Sequence, residues 1–374
     1  MKRQLCAVLF AVTSISLSKS YAFDATALKT SVPYPTADAS VGEKLFPNEE
    51  GIAKEMASII EDAVRRQFEP GKARRDAHPK AHGCVKAEFH VENDLSAHYA
   101  KGVFIPGKTY QAWIRFSNGN PDPDKPDIDG NERGMSIKLL GIPGDKILES
   151  ERNDTTQDFV MMSNPTFFLK DPGNAVSFFS AIESDSFFSK LKLPFAISFS
   201  ELSTLLKINS KKISNPLQTR YWSPVPYQLG IGADKQVIKF SARSCSAHVD
   251  PMPENPGPNF LREAMRNTLK NQDACMEFLI QPRTSDGLSV EDALTEWTED
   301  VAPFYKVATI RIPKQIFDTQ EQNQFCENLS YTPWHALPEH KPLGSINRMR
   351  KVVYEEISTI RHDMNKAPRI EPTN

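Results

Sequence analysis

Seven short stretches of this chain alternate apolar and polar residues with a period of two, and nothing else in it narrows the fold as far. In Cys84–Val91, Val85, Ala87, Phe89 and Val91 share one face, and Cys84, Lys86, Glu88 and His90 the other. Tyr110–Ser117 sets Ala112, Ile114 and Phe116 against Trp113, Arg115 and Ser117. Gly134–Leu140, Asp158–Met162, Val237–Ser244, Met276–Ile280 and Lys306–Ile312 complete the set. Strands covered on one face and spread this widely point to an antiparallel barrel or sandwich with long insertions. The 28 prolines agree, since they favour long, irregular, well-fixed connections.

Helical periodicity interrupts the strands and places the chain in the α+β class. Ile52, Met56, Ile59, Ile60, Ala63 and Phe68 recur at spacings of three and four between Glu49 and Phe68, and Pro70-Gly71 closes that helix. Further helices are predicted at Asn174–Ser189, Leu193–Leu206 and Pro258–Lys270. A short one is predicted at Asp286–Thr295, with Ser289 as its N-cap. From Gln320 the chain reads as irregular until Leu343–Arg361. That last stretch, as a helix, puts Arg350, Tyr354 and Arg361 on one face, because spacings of four and seven return to the same side.

Size, charge and the first residues bound the function. A chain of 374 residues can bury a substantial core, and a net charge of −2 argues against a nucleic-acid binder, which would normally show a basic stripe. Met1-Lys-Arg-Gln, the apolar run Leu5–Leu17 and the small residues ending at Ala22 have the form of an export signal, too short to span a membrane. The expected organisation is a signal peptide over 1–22, an extended arm over 23–48, one domain over 49–365 and a tail over 366–374. The mature chain is then periplasmic or secreted, with no membrane span. Four cysteines remain beyond the signal: Cys84, Cys245, Cys275 and Cys326. They allow two disulfides in three connectivities, or free buried thiols.

Four segments can carry chemistry. Arg75 and His78 precede a strand, where an imidazole can reach into a cavity as a general base. Arg115 and Ser117 point the same way from one strand. Asp158–Asp171 brings the adjacent Phe167 and Phe168 as a large apolar surface. On the last helix, Arg350 is placed to favour the phenolate of Tyr354, a hard anionic ligand for ferric iron.

In this order the segments resemble the catalase superfamily, in particular its small single-domain catalase-related haem peroxidases. Arg75-x-x-His78-x-Lys80 resembles the distal motif, in which the His is the acid/base and the Arg contacts a haem propionate. Arg115-Phe-Ser117 resembles the strand whose Arg holds a propionate and whose Ser bonds the distal His. Arg133-Gly134-Met-Ser-Ile-Lys138 resembles the strand that follows, and Asn164-Pro-Thr-Phe167-Phe168-Leu-Lys-Asp171 the loop after it. Arg350-x-x-x-Tyr354, with Arg361 seven residues on, resembles the proximal motif in which Tyr ligates the iron.

The resemblance covers residues 50 to 365 and implies a catalase-like antiparallel β-barrel with C-terminal helices enclosing haem b. His78, Ser117 and Asn164 are then the catalytic set. Arg75, Arg115, Phe167, Arg350, Tyr354 and Arg361 bind the cofactor, with Tyr354 on the ferric iron. The implied activity is reduction of hydrogen peroxide or organic hydroperoxides by an undefined electron donor, and homo-oligomerisation is left open. Two departures bear on it. Met162 stands where the family has its distal Asn, with Asn164 two residues further on, and His82 is a rival to His78. The family's haem-stacking aromatic would fall near Ala175 or Val176, with Phe178 one turn away. Loss of the distal amide favours peroxidase turnover over catalase turnover. A fatty-acid hydroperoxide isomerase of the catalase-like allene oxide synthase type, and a non-catalytic periplasmic haem-binding protein, are the alternatives.

Overall fold

The computed structural model describes residues 33–129, 132–183 and 197–373. Nine strands form one antiparallel sheet: β1 (Ala81–Val91), β2 (Thr109–Asn118), β3 (Arg133–Leu140), β4 (Thr156–Met162), β5 (Tyr221–Trp222), β6 (Tyr227–Leu229), β7 (Gln236–Ser244), β8 (Ala274–Pro282) and β9 (Tyr305–Ile312). β1 to β4 pair in succession, β1 also pairs β9, and β9, β8 and β7 follow in turn. The two-residue β5 pairs both β4 and β7, which closes a ring of eight strands, while β6 adds to the side of β7. Closure leaves no unpaired edge within the ring.

The alternation read from the sequence decides which face turns inward. Val85, Ala87, Phe89, Ala112, Ile114, Phe116, Ile137, Phe159, Phe240, Phe278 and Ile310 fill the interior and are almost wholly buried. The Phe159 ring meets Phe240 and Phe278 with centroids 5.0 Å apart in each case, so the lumen is a packed core. Arg115 and Ser117 therefore belong to the outer face, and any ligand they bind lies between the barrel wall and the helices.

The helices are α1 (Glu49–Gln67), α2 (Pro172–Glu183), α3 (Phe199–Ser210), α4 (Phe260–Asn271), α5 (Gln320–Asn328) and α6 (Ser345–Asn365). Ala53, Met56, Ile60 and Val64 of α1 form a second core with Ala175 and Val176 of α2 and with Ile346, Met349, Ile357 and Ile360 of α6. α6 is further pinned by Arg348, which is fully buried. Its guanidinium reaches Glu49 at 2.7 Å, Glu43 at 2.6 Å and Glu291 at 3.1 Å. Beyond α6 the tail brings Glu371 to within 3.0 Å of Lys138, which β3 buries opposite Asp158. No helix among the described residues is long and apolar enough to cross a membrane.

Several expected elements differ. α5 lies in the stretch read as irregular, and Thr319 caps it through a hydrogen bond to Gln322. Its weak apolar pattern hid it. Ser289 does accept from Glu291 and Asp292, but residues 286–295 form turns rather than a helix. β5 and β6 are too short to show alternation. The signal segment, and residues 184–196 of the helices expected after α2, lie outside the described residues.

Both disulfides form, as Cys84–Cys326 and Cys245–Cys275.

Candidate active site

One wall of the site is the outer face where β1 to β4 begin or end. His78 sits just before β1 with φ at +63°, a left-handed conformation that costs a residue with a Cβ of order 1–3 kcal/mol and is held only by its surroundings. Those surroundings are specific. Arg115 donates to the His78 carbonyl at 2.8 Å, and Ser117 Oγ lies 3.1 Å from His78 Nδ1. Ser117 pairs with Gly134 across the β2–β3 ladder, and Gly134 is required where it stands. A Cβ there would lie 2.7 Å from His78 Nδ1 and 2.8 Å from Ser117 Oγ, closer than real contacts allow.

Burial, then the positive charges of Arg115, Arg350 and Arg133, push the His78 imidazole down to about 3. It is neutral at ordinary pH and free to take a proton. His82 lies elsewhere: it is buried on β1, 3.8 Å from Asp127. Asp127 accepts from Asn118 at 3.0 Å and pairs with Lys80 at 2.9 Å, so Lys80 and Asn118 belong to a buried brace beside which His82 is packed. It is His78 that bonds Ser117.

The opposite wall is α6. Arg350 donates to the Tyr354 hydroxyl at 2.9 Å, one turn along the helix, and its other arm reaches Asn347 at 3.0 Å. The charge of Arg350 also lowers His78, so α6 brings a cation within electrostatic reach of the imidazole. Arg361, two turns beyond Tyr354, donates to the carbonyls of Glu327 and Leu329. Arg75 shares that segment: it donates to the carbonyls of Leu329 and Cys326 and pairs with Glu327 at 2.9 Å.

Arg75, Arg115 and Arg361 thus converge, with Glu327 as the one carboxylate among these four side chains. Burial first, then repulsion from Arg75, lowers both Arg115 and Arg361 to about 9, with Glu327 opposing. Arg115 Nε is buried without a hydrogen-bond partner. Such a cluster suits a ligand bearing two negative charges.

The remaining predicted residues fall outside this inner ring. Asn164 donates to the Thr166 carbonyl at 2.8 Å and to its hydroxyl at 3.1 Å, in a local turn. Met162 pairs directly with Gly134 across β3–β4 and so shares the face on which His78 rests. Phe167 packs at a tilt against Phe168, centroids 4.5 Å apart, beside the helical core. Glu327, Asp127 and Arg348 were not singled out from the sequence. No local pattern marks any of them, and only long-range partners give each its role.

No family profile and no curated protein sequence matches the chain. Solved structures do. Catalase A from Saccharomyces cerevisiae superposes with a TM-score of 0.61 at 16% identity, covering 83% of this chain and 67% of that one. This chain has the catalase fold. A fungal catalase gives 0.60 at 15% identity over 93% of this chain and 69% of its own, and a bacterial catalase 0.59 at 16% over 100% and 73%. Within that fold, His78 is bonded to Ser117 and Arg115, Tyr354 to Arg350, and Arg75 and Arg361 to one segment, while Asn164 lies in a turn of its own.

Proposed function

We propose that this chain is a haem-dependent peroxidase that reduces hydrogen peroxide or organic hydroperoxides and has weak catalase activity. One observation carries the reading: a neutral, serine-bonded histidine on the barrel wall lies within electrostatic reach of the arginine that bonds a tyrosine on α6. The residues fit the cofactor. Tyr354 would hold the iron through its phenolate oxygen, with Arg350 stabilising the negative charge there. Arg75, Arg115 and Arg361 suit two propionates, and the buried, unpartnered Arg115 Nε is a donor for one of them.

Bound haem supplies the iron at which the peroxide O–O bond breaks. The chain's own part is to manage the proton. His78 Nε2 can take a proton from the incoming hydroperoxide and return it to the departing oxygen, while Ser117 holds the ring in place through Nδ1. The proton stays local because burial and three arginines disfavour a lasting imidazolium. Met162 supports donor oxidation over peroxide disproportionation, since a thioether offers no amide to orient a second peroxide. The two disulfides support an oxidising, extracytoplasmic location.

The test is the absorption spectrum of the purified protein and of Tyr354→Phe. A ferric tyrosinate spectrum lost in the variant is expected; absence of bound haem, or an unchanged spectrum, refutes the reading. Oxygen evolution as fast as that of a true catalase would refute the peroxidase assignment.

The apolar Met162 beside His78 also favours a second reading, a haem-holding protein without turnover. Addition of peroxide with a reducing donor separates the two, because only a peroxidase oxidises the donor. Incubation with a fatty-acid hydroperoxide and no donor tests for isomerase activity.

A further inference from the structure

Arg75 and Arg361 come from opposite ends of the sequence, yet the same short segment holds both. The carbonyls of Cys326, Glu327 and Leu329 accept from them, and the Glu327 carboxylate pairs with Arg75. That segment is the end of α5 and the residues just after it. It is bound covalently to the barrel by the disulfide from Cys326 to Cys84 on β1, across 242 residues of sequence. The disulfide is buried in a small apolar cluster with Leu329, Trp113, Phe325 and Tyr331. Around it, Gln322 donates to the Cys84 carbonyl at 2.8 Å.

The acceptors have a telling chemistry. A guanidinium offers its N–H groups in a rigid planar fork, so bonding some of them fixes the direction of the rest. Backbone carbonyls orient that fork without neutralising it, and two of the three arginine charges stay available to a ligand. A displaced segment would lose the aim of Arg75 and Arg361 together.

We propose that the Cys84–Cys326 disulfide and the segment it anchors, with Glu327, position the arginines of the cofactor cradle, so that the chain grips an anionic porphyrin firmly only once this disulfide has formed. The proposal rests on the haem reading above and adds an order to it: oxidation of this cysteine pair precedes tight cofactor loading. Cys245–Cys275 has no such role. It joins the ends of β7 and β8, which are already paired at Ser244 and Met276.

The experiment titrates iron protoporphyrin IX and its dimethyl ester into the apoprotein and follows absorption. Esterification removes both propionate charges and leaves the iron and the ring unchanged. The wild type should bind the free acid far more tightly than the ester. In Cys84→Ala/Cys326→Ala that preference should fall by roughly tenfold or more, the scale of misplaced charge-assisted hydrogen bonds. It should persist in Cys245→Ala/Cys275→Ala. A general loss of stability would weaken both porphyrins alike, so an unchanged acid-to-ester ratio overturns the proposal. If the Ala pair does not fold, the same titrations on wild-type protein reduced by a phosphine decide the matter: an unchanged ratio with Cys84 and Cys326 free by mass spectrometry is equally fatal. A wild type that binds neither porphyrin refutes the haem reading itself, a result distinct from binding both without preference.

Discussion

Met162 lies directly across the β3–β4 ladder from Gly134, the residue whose missing Cβ makes room for the His78 imidazole. The side chain next to the candidate base is therefore a thioether, where a polar group could orient peroxide. On the proposed haem reading, Met162→Asn should raise oxygen evolution by roughly a hundredfold, the scale of one well-placed hydrogen-bond donor. Donor oxidation should change less. Oxygen-electrode and donor assays on the same preparation check this, and unchanged oxygen evolution would count against Met162 as the limiting feature.

Gly134→Ala tests the seat of His78. The added methyl would sit 2.7 Å from Nδ1, and the imidazole or Ser117 must move. A shift on the order of an ångström at a reacting group costs about a hundredfold in rate. Stopped-flow mixing with peroxide should show a loss near that size. The haem spectrum should remain, because Tyr354 and Arg350 lie on another element.

Arg348→Met tests what holds α6. The substitution leaves Glu43, Glu49 and Glu291 facing one another without their shared cation. Removing one partner from a buried ionic cluster costs about 3–5 kcal/mol. Urea unfolding should show a loss of that size. A loss under about 1 kcal/mol would mean that the cluster relaxes to solvent.

Acid should destabilise the protein through its buried histidines. His340 accepts from the Val103 amide at 3.0 Å, lies edge-on to Phe104, and is held down to about 3 by burial alone. Between that value and the unfolded value near 6.5, the unfolded chain binds a proton that the folded chain refuses. Stability is thus full above about pH 6.5 and falls by about 1.4 kcal/mol per pH unit for this group as the pH drops toward 3. His78 acts in the same direction. Between pH 7 and pH 5 the wild type should lose about 2 kcal/mol more than His340→Phe in urea unfolding. Equal losses would refute the assignment.

Local periodicity carried much of the architecture. Alternation in β1 and β2 separated Phe116 from Ser117 correctly, because a strand's side chains must take opposite sides. Spacings of four and seven set Arg350, Tyr354 and Arg361 along one helix before any fold was known, and the Arg350–Tyr354 bond is the local result. α5 escaped this reading because its tie to the barrel is Cys326, Phe325 against Trp113 and a few polar contacts, which leave little periodic trace.

What the sequence by itself determined is therefore the strand faces, the polarity of the last helix and the order of the segments that could carry chemistry. Tertiary structure alone decided the rest. It packed the lumen with phenylalanines and put the site on the outer wall. It gave Ser117 to His78 and buried His82 near Asp127 without a hydrogen bond to it, though both histidines precede or open the same strand. It joined Cys84 to Cys326, and so brought Glu327 to Arg75 across 252 residues. The physical reason is range. Backbone geometry repeats every two or 3.6 residues and is written locally, whereas a charge or a thiol acquires its partner only when closure of the barrel brings distant chain together.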